Sequence, residues 1–224
     1  MNLDEAEELL QNFSGVDLTA KMARIESDLR GVTQGECAAA LSSAGAKHEA
    51  LVAAATIKQL AGQIDVAIHA LGILRCLPHI LAPGEKVEYA SLGAGNTGRE
   101  FDLETNHRIA EFKFIHWQGG SETIRQNALF KDFFLLADSE TSKRKYLYVL
   151  DTEHPLRFMN GRRALDSVLI QHTNLKTRFH IKFNDRYQRV REYYADYKDA
   201  VAIEDVSPWL PELNRPKFSG GSNS

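Results

Sequence analysis

The spacing of apolar residues predicts helices through the first third of the chain. Apolar side chains recur three and four positions apart over residues 3–13 and 17–29, which indicates two short helices. Residues 47–77 are rich in alanine and have a broad apolar face, so we predict one long helix that ends at Pro78. Residues 1–46 are therefore predicted to be an N-terminal helical appendage.

A strand pattern follows this long helix. Residues 99–105 and 108–115 alternate between apolar and polar side chains, and residues 87–92 are a further candidate strand. Asn106 and His107 lie between two of these segments, and asparagine tolerates the backbone angles of a tight turn. We therefore predict a three-stranded meander that contains a hairpin.

The second half of the chain mixes helical and strand patterns. The predicted elements are a helix over 121–137, a strand over 145–150, a helix over 162–172, a strand over 178–183 and a helix over 185–202. This order predicts an α/β domain over residues 47–206, with a mixed β-sheet flanked by helices. Residues 207–224 are predicted to be an extended arm and a flexible tail.

The composition is that of an ordinary globular protein, with 43% hydrophobic and 25% charged residues. The acidic N-terminus is unlike a secretory signal, and charged residues and histidines interrupt the longest apolar stretch, so we expect a cytoplasmic protein that does not enter a membrane. Cys37 and Cys76 have no metal-type spacing, and we interpret them as two buried thiols.

The charge is distributed unevenly along the chain. Residues 1–46 contain eight acidic and three basic side chains, whereas residues 157–191 contain nine basic and two acidic ones. The basic segment suggests an anionic partner such as a nucleic-acid backbone, although a solvated surface has the same composition. The acidic helices favour a protein partner.

The hairpin carries the residues best suited to chemistry. Side chains two apart on a strand share a face, so Glu111 and Lys113 point together while Phe112 points to the core. A hairpin brings Asp102 of the preceding strand close to Glu111. Two carboxylates are a minimal ligand set for Mg²⁺, and a neighbouring lysine can orient or help to deprotonate a water molecule. The alternative is an exposed hairpin with ordinary surface charges.

The two strands, GREFDLE and RIAEFKF, resemble the core of the PD-(D/E)XK nuclease superfamily. The resemblance implies a restriction-endonuclease-like fold, in which Asp102 and Glu111 bind Mg²⁺ or Mn²⁺ together with the Phe112 carbonyl, and Lys113 is the catalytic lysine. It also implies supporting roles for Gln126 in the following helix and Glu49 in the preceding one. The sequence departs from the pattern at two positions, which are Phe101 in place of proline and Phe130 in place of the tyrosine that one branch carries.

Other motifs have competing interpretations. The loop of residues 93–98 matches the dinucleotide fingerprint G-x-G-x-x-G, but that fingerprint requires a helix after it, and a strand pattern follows here. We interpret it as a loop at the edge of the cleft. His69 is interpreted as a core or edge histidine, and Trp117 and Trp209 as packing residues.

We therefore expect a metal-dependent nuclease that acts on DNA, with RNA as a further substrate class that remains open. The alternative is a catalytically silent binding or assembly module on the same fold. Such nucleases often dimerise to cut both strands, so a homodimer is also open.

Overall fold

The computed structural model describes residues 1–93, 100–117 and 122–213. The chain is mixed α/β and about 59% helical, with a five-stranded mixed sheet flanked by helices. It divides into two compact units, Met1–Val66 and Ala67–Ser224, so the division falls inside a helix. The predicted domain boundary at residue 46 stays a prediction.

The first unit is helical, as the apolar spacing predicts. It contains α1 (Leu3–Ser14), α2 (Leu18–Asp28), a 3₁₀ turn (Gln34–Glu36), α3 (Cys37–Ala44) and the first part of α4 (His48–Ile80). Asn2 and Glu5 form a capping box at the start of α1, and the Asp17 carboxylate accepts a hydrogen bond from the Ala20 N–H at the start of α2. These contacts fix where the first two helices begin.

Helix α4 is the predicted long helix, but Pro78 does not end it. The helix continues to Ile80, because a proline in the last turn removes only one hydrogen bond and its fixed φ is compatible with a helix. By length and composition alone α4 could cross a membrane, a property that it shares with core helices of soluble proteins. Of the two cysteines, Cys76 on this helix is buried as expected, whereas Cys37 is exposed.

The sheet of the second unit follows chain order, β1 to β5. Its strands are β1 (Val87–Ala90), β2 (Leu103–Thr105), β3 (Arg108–Lys113), β4 (Arg144–Val149) and β5 (Ala202–Asp205). The first three strands form an antiparallel meander, and β4 and β5 add in parallel to β3. The predicted meander and the predicted parallel neighbour are thus confirmed.

Helices connect and cover the sheet. They are α5 (Thr123–Asp138), α6 (Glu153–Met159), α7 (Leu165–Leu169), α8 (Thr173–Phe183) and α9 (Val190–Tyr197). Helix α5 lies between β3 and β4 in the chain, as a parallel crossover requires. Residues 207–213, predicted to be extended, form two 3₁₀ turns, Ser207–Trp209 and Pro211–Leu213. The rest of the predicted tail, residues 214–224, lies outside the described residues.

The strand predicted over 178–183 is wrong, because these residues belong to α8. Leu175 and Phe179, four positions apart, are buried on the same side of this helix. The helical spacing of apolar residues over the whole segment therefore outweighs the apolar–polar alternation within six of its residues. The helix predicted over 185–202 is shorter than expected, because α9 spans Val190–Tyr197. The strand β5 begins at Ala202, the last residue of the predicted helix. Of the strand predicted over 99–105, residues 103–105 form the strand β2.

Two apolar clusters cover the two faces of the sheet. One contains Ile109 of β3, the inner side chains of α5 and the aromatic residues of α8 and α9. The other contains Ala110 and Phe112 of β3 with Ile73 and Cys76 of α4. Alternation along β3 therefore sends neighbouring residues into different clusters, as predicted from the sequence.

A buried ion pair fixes the hairpin of β2 and β3 to the segment that leaves α4. The Arg108 guanidinium donates to both Glu85 carboxylate oxygens, over 2.6 Å and 2.7 Å, and to the Tyr148 hydroxyl over 2.8 Å. Thr105 and the Ala82 N–H also donate to Glu85. This bidentate geometry satisfies the two charges inside the protein.

We predict that Glu85→Gln lowers the free energy of unfolding by about 3–5 kcal/mol at neutral pH, because it leaves the buried Arg108 charge uncompensated. Burial opposes ionisation of Glu85, but the hydrogen bonds from Arg108 and Thr105 lower its pKa from 4.5 to about 2. Because the pKa of Glu85 is lower in the folded protein than its ordinary value of 4.5, ionised Glu85 stabilises the fold above pH 4.5. This contribution is lost as the pH falls towards 2.

Urea unfolding followed by tryptophan fluorescence measures this difference, since Trp117 and Trp209 both lie in the second unit. Glu88→Gln is the matched control, because Glu88 forms a surface ion pair with Lys143 and should contribute less than about 1 kcal/mol. A difference between the native protein and Glu85→Gln that stays constant from neutral pH to pH 2 would contradict this account.

Candidate active site

The register of the hairpin brings the predicted site residues to one end of β2 and β3. Leu103 pairs with Ala110, and Glu104 pairs with Ile109. The antiparallel register continues to place Asp102 beside Glu111, one position further along each strand. The side chains of Glu111 and Lys113 point together, away from the buried Ala110 and Phe112.

The Asp102 carboxylate is held from two sides. Its Oδ2 accepts a hydrogen bond from the Phe112 backbone N–H at 2.9 Å, and its Oδ1 lies 3.3 Å from His69 Nε2. The β2–β3 ladder ends at Leu103, so this carboxylate satisfies an N–H group that the sheet leaves unpaired. The hydrogen bond to Asp102 raises the pKa of His69.

Lys113 connects two further carboxylates. Its Nζ lies 2.9 Å from Glu111 Oε1 and 2.8 Å from Asp132 Oδ2. Asp132 is on the inner side of α5, with a side chain that is only 6% exposed. An ammonium group has three N–H donors, so two such contacts leave one donor for a further acceptor.

Burial and neighbouring charges shift the ionisation of this pair. Burial, followed by the nearby charges of Asp132 and Asp102, raises the pKa of Glu111 to about 7, although Lys113 opposes the shift. Burial alone would lower the pKa of Lys113, but Asp132 and Glu111 raise it above its ordinary value. Lys113 Nζ is therefore a hydrogen-bond donor to both Glu111 and Asp132 in this arrangement.

The oxygen atoms at this site fit a hard divalent cation. The N–H and C=O groups of one strand residue point to the same side, so the Phe112 carbonyl is directed towards Asp102, as its N–H is. Two carboxylates and one carbonyl are a ligand set that Mg²⁺ accepts, with water in the remaining positions. Over the described residues, however, no three His, Cys, Asp or Glu side chains are grouped closely enough to hold a metal.

The structure brings together Asp102, Glu111 and Lys113 but places Gln126 elsewhere. The Gln126 side-chain oxygen accepts a hydrogen bond from the Arg163 guanidinium, at a different surface of α5. Glu49 is exposed in the first turn of α4 and belongs to the first unit, so its role at the site stays a prediction. The cleft-edge loop of residues 93–98 lies outside the described residues from residue 94 on.

Two members of the cluster were not identified from the sequence. His69, interpreted as a core or edge histidine, contacts Asp102, and Asp132 contacts Lys113. Asp132 gave one usable signal, since it lies between the apolar positions Phe130, Phe133 and Phe134 in the inward stripe of a helix. An acid in such a stripe requires a buried partner.

No protein-family model, curated protein or solved structure matches this chain. The functional interpretation therefore rests on the chemistry and geometry of the residues themselves.

Close packing at Gly72 holds α4 against the end of β3, next to His69. A Cβ atom added at Gly72 would lie 2.5–2.8 Å from the ring of Phe114, which is closer than non-bonded atoms approach. Phe114 also makes an edge contact with the His69 ring. The absence of a side chain at Gly72 therefore permits the approach that places His69 beside Asp102.

We predict that Gly72→Ala lowers the free energy of unfolding by about 1 kcal/mol, because overpacking against Phe114 outweighs the gain in helix propensity. Gly62→Ala is the control on the same helix, where an added Cβ meets no atom within 4 Å, and it should stabilise by up to about 1 kcal/mol. Thermal unfolding followed by circular dichroism distinguishes the two variants. Equal stabilisation by both would show that Phe114 does not crowd Gly72.

Proposed function

We propose that this protein is a metal-dependent nuclease with a restriction-endonuclease-like fold, which hydrolyses phosphodiester bonds of DNA. The observation that carries the proposal is the convergence of Asp102, Glu111 and Lys113 at one end of a single hairpin. An exposed hairpin with ordinary surface charges does not explain this arrangement. All three side chains are less than one third exposed, and Glu111 is partly desolvated.

The order of elements supports the same proposal. A long helix, a three-stranded antiparallel meander, a crossover helix and a parallel strand follow one another as α4, β1–β3, α5 and β4. This is the order that the resemblance to the PD-(D/E)XK superfamily implies, and Asp102 immediately precedes β2 while Glu111 and Lys113 lie on β3. Fold alone does not establish an activity, so the weight stays on the site.

Each residue has a role that follows from its contacts. Asp102, oriented by the Phe112 N–H and His69, presents a carboxylate for Mg²⁺ or Mn²⁺ together with Glu111. A bound Mg²⁺ would lower the pKa of a coordinated water and polarise the phosphate. Lys113, held as an ammonium by Asp132, has a donor left to orient the attacking water or a phosphate oxygen.

The proposal has three further parts. DNA is the preferred substrate, the protein is cytoplasmic, and a homodimer cuts both strands. The basic segment over residues 157–191 supplies positive charge for a nucleic-acid backbone, on a chain whose formal net charge is −3. RNA offers the same phosphodiester chemistry and is the alternative substrate. The acidic helices α1 and α2 supply a surface for a protein partner.

One observation favours a second candidate, a catalytically silent module that binds a partner through the same fold. Lys113 is held by two carboxylates, and over the described ranges no three-ligand metal group is assembled. In such a module the ion pairs would serve only to stabilise the junction of β3 and α5. A stable stoichiometric complex without cleavage would support this candidate over the nuclease.

We predict that Lys113→Ala reduces Mg²⁺-dependent cleavage of DNA at least about 100-fold while the protein remains folded, because it removes the donor beside the reacting phosphate. The measurement incubates single- and double-stranded DNA and RNA with the protein in the presence of Mg²⁺, Mn²⁺ or a chelator. Lys113→Met, which keeps the apolar stem, serves if the alanine variant is unstable.

Lys143→Ala is the matched control for this experiment. Lys143 immediately precedes β4 and also connects two carboxylates, Glu88 at 2.7 Å and Glu104 at 2.8 Å, but neither carboxylate belongs to the site. Its loss should leave cleavage within about twofold of the native rate, as expected for a surface ion pair. Cleavage retained by the Lys113 variants would reject the nuclease.

A further inference from the structure

A pocket of about 300 Å³ is lined by residues of α5, of α6 and of the segments next to these helices, and most of its side chains are basic or aromatic. The residues that define this pocket, which we call the arginine pocket, are Trp117, Gln126, His154, Arg157, Arg162 and Arg163. Its volume is at the lower end of the range for small-molecule sites. Neither the metal ligands nor Lys113 contributes to its lining.

The local sequence explains how the arginines converge. His154 and Arg157 are three positions apart on α6, so they share one face of that helix. Gly161 follows α6, and a Cβ atom added there would lie 2.8 Å from the Phe158 carbonyl oxygen. This tight exit is open only to glycine and returns Arg162 and Arg163 to the same pocket.

The charges of the arginine pocket are only partly balanced. Arg157 forms an ion pair with Glu153, and Glu122, an acidic residue that also lines the pocket, forms one with Arg125. Neither Arg162 nor Arg163 pairs with a carboxylate within the part of the chain that the structure describes. Two uncompensated guanidinium groups that line one concave surface are suited to an anion, and their planar donors match a phosphate.

Arg163 is oriented in advance of any ligand. One of its terminal nitrogens donates to the Gln126 side-chain oxygen, and its Nε lies 3.5 Å from Ser167 Oγ. These contacts leave the second terminal nitrogen for a ligand and reduce the entropy lost on binding. Gln126, predicted to support the metal site, therefore acts here as the residue that positions an arginine.

Trp117 gives the arginine pocket an aromatic wall. Its indole packs against Phe158, with ring centroids 6.1 Å apart, and remains partly exposed. Bases of single-stranded nucleic acid stack on such rings, whereas a paired base inside a duplex is not accessible to them. The combination of phosphate donors and an aromatic wall thus favours an unpaired nucleotide over a free inorganic anion.

The arginine pocket is within reach of the candidate active site. Trp117 follows Lys113 by four residues, which span at most about 14 Å of chain. Gln126 and Asp132 are six residues apart on α5, or about 9 Å along its axis. These distances correspond to about four nucleotide steps of a strand or fewer.

We propose that the arginine pocket binds one unpaired nucleotide of the substrate strand near the cleavage site, with its phosphate on Arg162 and Arg163 and its base against Trp117. The proposal rests on the proposed nuclease function, and it names single-stranded DNA, or a single-stranded end, as the form of substrate that the protein engages. A fully paired duplex offers no base to Trp117 and should bind less tightly.

The test measures binding of a fluorescently labelled oligothymidylate by anisotropy in the presence of a chelator, so that cleavage is not needed. We expect the double variant Arg162→Ala/Arg163→Ala to bind about tenfold or more weakly and to lower the salt dependence by about one unit for each phosphate contact removed. Arg191→Ala is the control, because it removes an exposed arginine that does not line the pocket. It should change the affinity by about twofold or less.

Trp117 provides an independent readout. In a Trp209→Phe protein, Trp117 is the single remaining tryptophan, and stacking of a thymine base should quench its fluorescence. Trp117→Phe keeps an aromatic ring and should retain most of the affinity for oligothymidylate, whereas Trp117→Ala should lower this affinity about tenfold. Lys143→Ala removes a lysine outside both the arginine pocket and the candidate active site, and it should bind as tightly as the native protein.

The outcomes separate the pocket from the nuclease. Binding that depends on Arg162, Arg163 and Trp117 in a protein that never cleaves would support the pocket and reject the nuclease. Cleavage by the native protein, with the double variant and Arg191→Ala indistinguishable in affinity and salt dependence, would overturn the pocket and leave the nuclease standing. Equal affinity for a paired duplex and for oligothymidylate would also overturn it.

Discussion

The register between β2 and β3 is the constraint on which the site depends, since a slip of one residue would turn Glu111 towards the core. A buried ion pair and a partly buried hydrogen bond secure it from opposite ends of the hairpin. At the turn, Arg108 forms an ion pair with Glu85, and at the open end the Asp102 carboxylate accepts a hydrogen bond from the Phe112 N–H. The candidate site at one end of the hairpin therefore relies on an ion pair at the other end, which is not part of that site.

The site itself is built from opposed charges rather than from a finished metal cage. Lys113 lies between Glu111 and Asp132, so the ammonium offsets part of the cost of burying two carboxylates. A divalent cation placed between Asp102 and Glu111 would do the same. Burial raises the pKa of Glu111 to about 7, and a cation beside the carboxylate would oppose this shift.

The sequence was most informative where one period dominated. The alternation along β3 correctly predicted that Glu111 and Lys113 share a face, and helical spacing predicted α4 almost to its end. Short patterns failed, as in residues 178–183, where six residues alternate inside a longer helix. His69 and Asp132 were missed because their partners are distant in sequence and no period relates them. The arginine pocket was missed for the same reason, since a charge run alone does not reveal a concave surface.

We propose that Asp102 and Glu111 share one cation, and Mn²⁺ binding measured by calorimetry and electron paramagnetic resonance would detect it. We expect one Mn²⁺ per chain in the native protein, and loss of this site in both Asp102→Asn and Glu111→Gln. Glu104→Gln is the control on the same hairpin, because Glu104 pairs with Ile109 and does not lie beside Glu111. This variant should bind Mn²⁺ as the native protein does. Undiminished Mn²⁺ binding in either Asp102→Asn or Glu111→Gln, with the variant folded, would contradict the account.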